Sequence, residues 1–286
     1  MLSFQEVSFS YETLSQKRTK QPKKPFYALE KITFSVKPGE IFGIAGHTGS
    51  GKSTLARLAN GLISPSEGSI FYNGINIQDK SLARTLCGEI GLVFQNPEQQ
   101  LFAPTVYEDV VFGPKNLHVP EETWDSCVAH ALALVGLDYE TYKDVSPFAL
   151  SGGQQRRVAL AGILAMDPKV LIFDEPTAGL DPRGQKEFLD TIASLQHEGK
   201  TILIISHNMN DLARCAHRIL VLNKGRVAHL GTPEEVFVAE NKLEEIGLEL
   251  PDAQNLAHQL RKEGFCLEKS YYTERELIDE LASMLS

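Results

Sequence analysis

Ile41-Phe42-Gly43-Ile44-Ala45-Gly46-His47-Thr48-Gly49-Ser50-Gly51-Lys52-Ser53 is the stretch on which the fold turns. Its first five residues are almost wholly apolar, the pattern of a strand buried on both faces. The next eight fit G-x-x-x-x-G-K-[ST], and the run Ser53–Leu62 that follows is compatible with a helix. Strand, glycine loop and helix in that order make a phosphate cradle. The glycines let backbone N–H groups wrap a β-phosphate, and the helix start adds the positive end of its dipole. Lys52 is placed to neutralise β/γ oxygens and the Ser53 hydroxyl to ligate Mg2+. The candidate phosphate-binding residues are therefore Gly46, His47, Thr48, Gly49, Ser50, Gly51, Lys52, Ser53 and Thr54.

On either side of this stretch the pattern repeats in pieces. Ile90–Phe94, Val170–Phe173, Thr201–Ile205 and Ile219–Leu222 are short apolar runs separated by helical stretches, as a parallel sheet flanked by helices requires. Nearer the N-terminus, Leu2–Tyr11 and Leu29–Val36 alternate in part, and Asn73-Gly74 is a tight-turn pair between two β-prone runs. These predict an antiparallel β layer. After Gly231 the chain becomes acidic and helix-rich. Ala253, Leu256, Ala257 and Leu260 form one apolar stripe, and Leu277, Ile278, Leu281, Met284 and Leu285 a second. A boundary near 232 divides a domain of residues 1–231 from a small helical one, 232–286. The predicted fold is α/β: a P-loop NTPase core with a parallel sheet, an N-terminal antiparallel β layer and a small C-terminal helical domain.

Composition narrows the function. With 286 residues, 42% of them hydrophobic, the chain can bury a sizeable core. No stretch approaches the roughly 18 to 20 apolar residues that span a bilayer, and Met1-Leu2-Ser3-Phe4 lacks the start of a signal peptide, so a cytoplasmic location is expected. Cys87, Cys127, Cys215 and Cys266 lie far apart without a CxxC pair, which suggests neither a zinc site nor a disulfide framework. Of the net charge of −9, residues 232–286 carry −8, from 13 acidic and 5 basic residues. A nearly neutral body without a basic excess argues against nucleic-acid binding. One basic cluster, Lys17, Arg18, Lys20, Lys23 and Lys24, reads either as a solvated loop or as a contact for an anionic partner or lipid surface.

Two further motifs carry chemistry. Val170-Leu171-Ile172-Phe173-Asp174-Glu175 is an apolar strand ending in two carboxylates, at the edge of a parallel sheet where ligands bind. Downstream of a phosphate loop, Asp174 is expected to hold the Mg2+ shell and Glu175 to polarise an attacking water. Leu150-Ser151-Gly152-Gly153-Gln154 opens a helical run, Gln155–Met166. Ser151 and Gln154 read as a capping box. That leaves the two adjacent glycines, which suit close approach of a ligand at a helix start, and marks Ser151, Gly152, Gly153 and Gln154 as a second phosphate surface.

Taken together, the phosphate loop, Leu150–Gln154, and Asp174-Glu175 followed by Pro176-Thr177-Ala178-Gly179-Leu180-Asp181 resemble the ATP-binding-cassette ATPases over about residues 2–231. The resemblance implies a helical subdomain carrying the Ser151–Gln154 signature, and ATP and Mg2+ as ligands. It implies that Gln95 touches Mg2+ and lines the docking groove for a transmembrane subunit, that His207 contacts the γ-phosphate, and that Asp181 links two sites across a dimer. In that family the signature of one subunit closes over ATP held by the phosphate loop of another, so a second cassette, paralogue or self, is the implied partner. The adenine stacks on an aromatic residue near the β layer, with Tyr11 the choice and Tyr27 its rival.

Phe94-Gln95-Asn96-Pro97-Glu98-Gln99-Gln100-Leu101-Phe102 and Phe148–Ala159 look like the ATPase subunits of energy-coupling-factor transporters, importers of vitamins or metal ions. This implies a peripheral place on the cytoplasmic face of the cell membrane, with coupling and substrate-binding membrane subunits as partners. It also implies a C-terminal helical domain that holds the ATPase pair together; self-packing of the two stripes against the body is the other reading. Gly46-His47-Thr48-Gly49 and Pro176–Asp181 lean toward one of the two paralogues that pair in such transporters. The soluble cassette ATPases of DNA maintenance and translation fit less well. Only about 100 residues separate Lys52 from Ser151, with no sustained heptads, and one set of nucleotide motifs is present. The ATPase of another importer or exporter of the same superfamily stays open.

Overall fold

Each wholly apolar run forms a strand whose successive side chains enter two different cores, which is why it cannot alternate with polar residues. In the computed structural model, which describes residues 2–11, 26–79, 83–237, 243, 245–267 and 269–285, the strands form two sheets. The basic cluster at Lys17–Lys24 lies outside the described residues. A four-stranded antiparallel sheet has the order β2-β1-β4-β5, from β1 (Leu2–Phe9), β2 (Leu29–Val36), β4 (Glu67–Tyr72) and β5 (Ile75–Asn76). A six-stranded sheet has the order β10-β9-β3-β8-β7-β6. It is built from β3 (Ile41–Gly46), β6 (Ile90–Val93), β7 (Val170–Asp174), β8 (Thr201–Ile205), β9 (Arg218–Asn223) and β10 (Arg226–Gly231). β9, β3, β8, β7 and β6 pair in parallel, and β10 is antiparallel to β9.

Alternation between two cores is visible residue by residue. Phe42, Ile44, Ile172, Leu203, Ile205, Leu220 and Leu222 face the core shared with the antiparallel sheet. Ile41, Ala45, Leu171, Phe173, Ile202, Ile204, Ile219 and Val221 face the helices on the other side. Phe4, Phe34 and Phe42 stack in series, with centroids 4.5 and 5.2 Å apart, and lock the two sheets together. Burying each such ring stabilises by about 1.5–3 kcal/mol.

The helices are α1 (Lys52–Ala59), α2 (Ala83–Glu89), α3 (Val106–Asn116), α4 (Trp124–Leu134), α5 (Tyr139–Tyr142) and α6 (Gly152–Leu164). They continue with α7 (Pro182–His197), α8 (Met209–Cys215), α9 (Pro233–Phe237), α10 (Asp252–Lys262) and α11 (Glu274–Leu285). α1 stops short of the expected Leu62 because Gly61 adopts φ 79°, a left-handed conformation that ends a helix cheaply. α6 begins three residues earlier than the run Gln155–Met166, because the capping box starts the helix directly after Ser151.

The C-terminal region divides its apolar residues. Val236, Phe237, Leu243, Leu248, Leu250 and Tyr272 join the main core, whereas Ala253, Ala257, Leu267, Tyr271 and Leu277 make a small cluster of their own. Leu256, Ile278 and Met284 are exposed. Self-packing thus takes up Ala253, Ala257 and Leu260 of the first stripe, and Leu277 and Leu281 of the second. Asn210 and Asp252 exchange hydrogen bonds of 2.9 and 2.8 Å, tying α8 to the start of α10.

Candidate functional site

The phosphate loop leaves β3 and enters α1 through two glycines that admit no side chain. A Cβ on Gly46 would lie 2.4 Å from Ser50 Oγ and 2.6 Å from the Leu222 carbonyl oxygen. Gly51, at φ 106°, would bring a Cβ to 2.6 Å from Leu29 Cδ2 and 2.7 Å from the Ala28 carbonyl oxygen. The loop can therefore fold this tightly only with glycine at both places. Lys52 reaches back over it, and its Nζ donates to the carbonyls of Gly46 at 2.6 Å and His47 at 3.2 Å. Burial lowers the pKa of this ammonium, while the charges of Glu175 and Asp174 oppose the fall. His47 Nδ1 contacts the Thr48 carbonyl at 2.7 Å, Ser50 is fully buried, and Thr48, Gly49 and Ser53 are exposed.

β7 delivers the two carboxylates to the same place. Asp174 Oδ1 is buried without a hydrogen-bond partner. Burial raises the pKa of its carboxyl, and a bond to the Ser53 side chain draws it down again. A buried, unsatisfied carboxylate oxygen beside an exposed hydroxyl is an arrangement an oxygen-seeking cation completes. Glu175 leaves the strand at φ 53°, a strained conformation for a non-glycine residue, held by its N–H donating to the Ile205 carbonyl at 2.9 Å. That turn sends Oε1 to 4.0 Å from Lys52 Nζ and Oε2 to 2.7 Å from His207 Nδ1. The His207 N–H also donates to Oε2, at 3.3 Å. A carboxylate accepting at Nδ1 places the ring proton there and leaves Nε2 on the exposed side of the ring.

Other sequence-predicted residues stand apart from this centre. No hydrogen bond among the described residues joins the Ser151–Gln154 segment to the phosphate loop. Ser151 Oγ accepts from the Gln154 N–H at 3.4 Å and Gln154 Oε1 accepts from the Ser151 N–H at 3.0 Å, so the capping box is formed. A Cβ added at Gly152 or Gly153 would meet nothing within 4 Å, so the chain's own packing does not demand these glycines. Asp181 caps α7 by accepting from the Gly184 N–H at 2.7 Å, and with Gly153 it lines an open cleft of about 980 Å³. Gln95 is exposed just past β6. Tyr11 is half exposed, edge-on to Phe9, and its hydroxyl shares a 3.1 Å hydrogen bond with Thr54 of α1; Tyr27 instead donates to Glu67 at 2.9 Å.

Sequence reasoning gave no role to three residues that organise this region, although Arg156 and Thr177 lie within the motifs that carry the resemblance. Arg156 of α6 donates to the carbonyls of Ala178, Gln95 and Pro176. Thr177 donates to the buried carboxyl of Asp211 at 2.5 Å, tying the turn after Glu175 to the helix after His207; burial raises the Asp211 pKa. Their partners are 20 to 61 residues away, and backbone carbonyls carry no sequence signal, so no local pattern announces them.

Comparison with known proteins agrees with the geometry. The ABC transporter family model matches residues 29–178. The energy-coupling factor transporter ATP-binding protein EcfA2 of Caldanaerobacter subterraneus subsp. tengcongensis is 52% identical over 239 residues, 83% of each chain. EcfA1 of the same organism is 43% identical over 276 residues, 96% of each chain. Among solved structures, cbiO1 from Clostridium perfringens, part of the ABC transporter complex cbiONQ, superposes with a TM-score of 0.74 at 37% identity, covering 91% of this chain and 98% of that one. The dimeric ATP-binding cassette MJ0796 bound to ADP and Pi gives 0.69 at 28% identity, covering 82% and 99%. The matched span holds the phosphate loop, the Ser151–Gln154 helix start and Glu175, and this chain belongs to the ABC transporter family.

Proposed function

We propose that this chain is the ATP-hydrolysing subunit of an energy-coupling-factor transporter, pairing with a second cassette around two nucleotides and driving uptake through separate membrane subunits. The observation that carries the ATPase reading is the convergence of Lys52, Glu175 and His207 within 4.0 Å contacts at the phosphate loop. Lys52 and the loop amides hold the β/γ-phosphates. Glu175, fixed by His207 and by its own strained turn, takes a proton from the attacking water as general base. His207 presents its other nitrogen toward the γ-phosphate. Ser53, Asp174 and Gln95 would hold Mg2+, which supplies charge neutralisation at the phosphates when bound. The oxygen-only donor set and the unsatisfied Asp174 Oδ1 fit that ion. Tyr11, bonded to Thr54 of the phosphate helix, is the adenine platform in preference to Tyr27.

Signature glycines with open space above them are suited to a ligand brought by another subunit, so Ser151–Gln154 and Asp181 act across a dimer interface. ATP touching both partners stabilises the closed pair, and hydrolysis removes that differential affinity. Greater identity to EcfA2 than to EcfA1 of one organism favours a paralogous cassette as the partner. Just beyond Gln95, a cleft of about 360 Å³ between Leu101, Phe102, Phe112, Ile163 and Met166 is the docking groove for the transmembrane coupling subunit. Phe102 and Phe112 are exposed there, edge to face with centroids 4.8 Å apart, as an apolar partner helix requires. Among the described residues no helix is long and apolar enough to cross a membrane, so such a partner carries the span. The chain then sits peripherally on the cytoplasmic face of the membrane.

Affinity purification from detergent-solubilised membranes tests this reading. Recovery of a second cassette with small membrane proteins is the expected result, whereas soluble partners, ribosomes or DNA alone would overturn the transport assignment and leave the ATPase chemistry standing.

A further inference from the structure

Arg156 is a half-buried cation that answers to backbone carbonyls. From the second turn of α6 its Nη1 donates to the Ala178 carbonyl at 3.2 Å, and its Nη2 donates to the Gln95 carbonyl at 3.4 Å and to the Pro176 carbonyl at closer range. Burial lowers its pKa and the charge of Glu98 raises it, so the guanidinium sits where its solvation has been replaced by these three oxygens. The acceptors are not a random set. Gln95 lies two residues past the end of β6, Pro176 follows Glu175 directly, and Ala178 lies in the turn that leads to Asp181. Arg156 itself belongs to the helix whose start is Ser151–Gln154. One side chain thus binds the signature helix to the Gln95 segment and to the backbone next to Glu175.

We propose that Arg156 is a positioning residue for ATP hydrolysis, holding the signature helix, Gln95 and the Glu175–Ala178 turn as one unit so that seating of the signature on a nucleotide sets the catalytic carboxylate and the Mg2+ shell. This rests on the roles given to Glu175 and Gln95 above. The planar fork of arginine, with its several N–H donors in fixed directions, can serve three carbonyls at once, and the compact ammonium of lysine cannot. Displacement of a catalytic group by about 1 Å costs on the order of 100-fold in rate, so the loss of this tie is felt in turnover before it is felt in binding.

The test compares the full-length wild-type chain with Arg156→Ala, Arg156→Lys and Glu175→Gln, measuring turnover against ATP and against Mg2+, affinity for a fluorescent ATP analogue, and the thermal midpoint. Arg156→Ala is expected to lower kcat by about 10- to 100-fold, with analogue affinity and KM for ATP unchanged within a factor of about three and the Mg2+ concentration for half-maximal rate raised severalfold. Arg156→Lys is expected to fall between, restoring part of kcat and of the Mg2+ dependence. Wild-type turnover and Mg2+ dependence in Arg156→Ala would overturn the proposal. So would parallel loss of kcat, analogue affinity and thermal midpoint, which describes a structural residue. If the alanine variant does not fold, the lysine variant decides, and wild-type kinetics there overturn it. Glu175→Gln separates the two levels: normal hydrolysis in that variant sinks the catalytic assignment itself, while an inactive Glu175→Gln beside a normal Arg156→Ala sinks only the role of Arg156.

Discussion

Replacing Glu175 by glutamine removes the basicity and the charge of the side chain and keeps its shape. The amide oxygen can still accept from His207 Nδ1, now 2.7 Å from Oε2, and the backbone bond to Ile205 is untouched. What disappears is the basicity, together with the negative charge 4.0 Å from Lys52 Nζ. Exchanging a charge-assisted bond for a neutral one at an exposed, solvent-screened histidine costs at most about 1 kcal/mol of stability. Losing a general base costs about 2 to 4 orders of magnitude in rate, equivalent to roughly 2.7–5.4 kcal/mol of transition-state stabilisation. Removing a carboxylate from the phosphate cradle lessens repulsion of the ligand, so ATP affinity is expected to equal or exceed that of the wild type. Single-turnover hydrolysis of labelled ATP gives the rate, and titration with a fluorescent analogue gives the affinity. A variant hydrolysing within about threefold of wild type would refute the base assignment, and one that lost ATP affinity in proportion to rate would show Glu175 to be a binding residue instead.

Three further outcomes follow from local geometry. Tyr11→Ala is expected to weaken ATP binding by about 10-fold, the worth of one stacked base, while Tyr11→Phe loses only the bond to Thr54 and stays within a factor of about three by calorimetry; the same loss in Tyr27→Ala but not in Tyr11→Ala would move the platform to Tyr27. Gly51→Ala, forced to φ 106° against Leu29 and the Ala28 carbonyl, should lower the free energy of unfolding by about 2–3 kcal/mol in denaturant titration, and a neutral result would mean that the loop is looser than described. The buried carboxyl of Asp211 has a folded pKa above its ordinary 3.8, so its contribution to stability is fully present below pH 3.8 and is lost as pH rises through the folded value. Asp211→Asn keeps an acceptor for Thr177 without the charge; its denaturation midpoint should gain on the wild type as pH rises from 4 to 7, and a constant gap would show that burial of this charge is not the cause.

Local chemistry made most of the site legible. A phosphate loop needs its glycines, lysine and serine in one order, and an apolar strand ending in Asp174-Glu175 needs both of its faces buried, so both patterns survive as short runs of residues. The two-core alternation of β3, β7, β8 and β9 is likewise a direct reading of apolar runs with period two. Element ends were less legible, because they depend on single glycines such as Gly61 and on the capping box at Ser151. The clasp of Arg156 on three carbonyls, the Thr177–Asp211 bond, the strained turn of Glu175 and the division of the C-terminal stripes into packed and exposed residues were decided by tertiary structure alone. The physical reason is that carbonyl acceptors are identical at every position of a chain, and burial depends on which distant surface arrives. A sequence names the groups able to react; only the packing of β6, β7 and α6 against one another determines which of them are held still together.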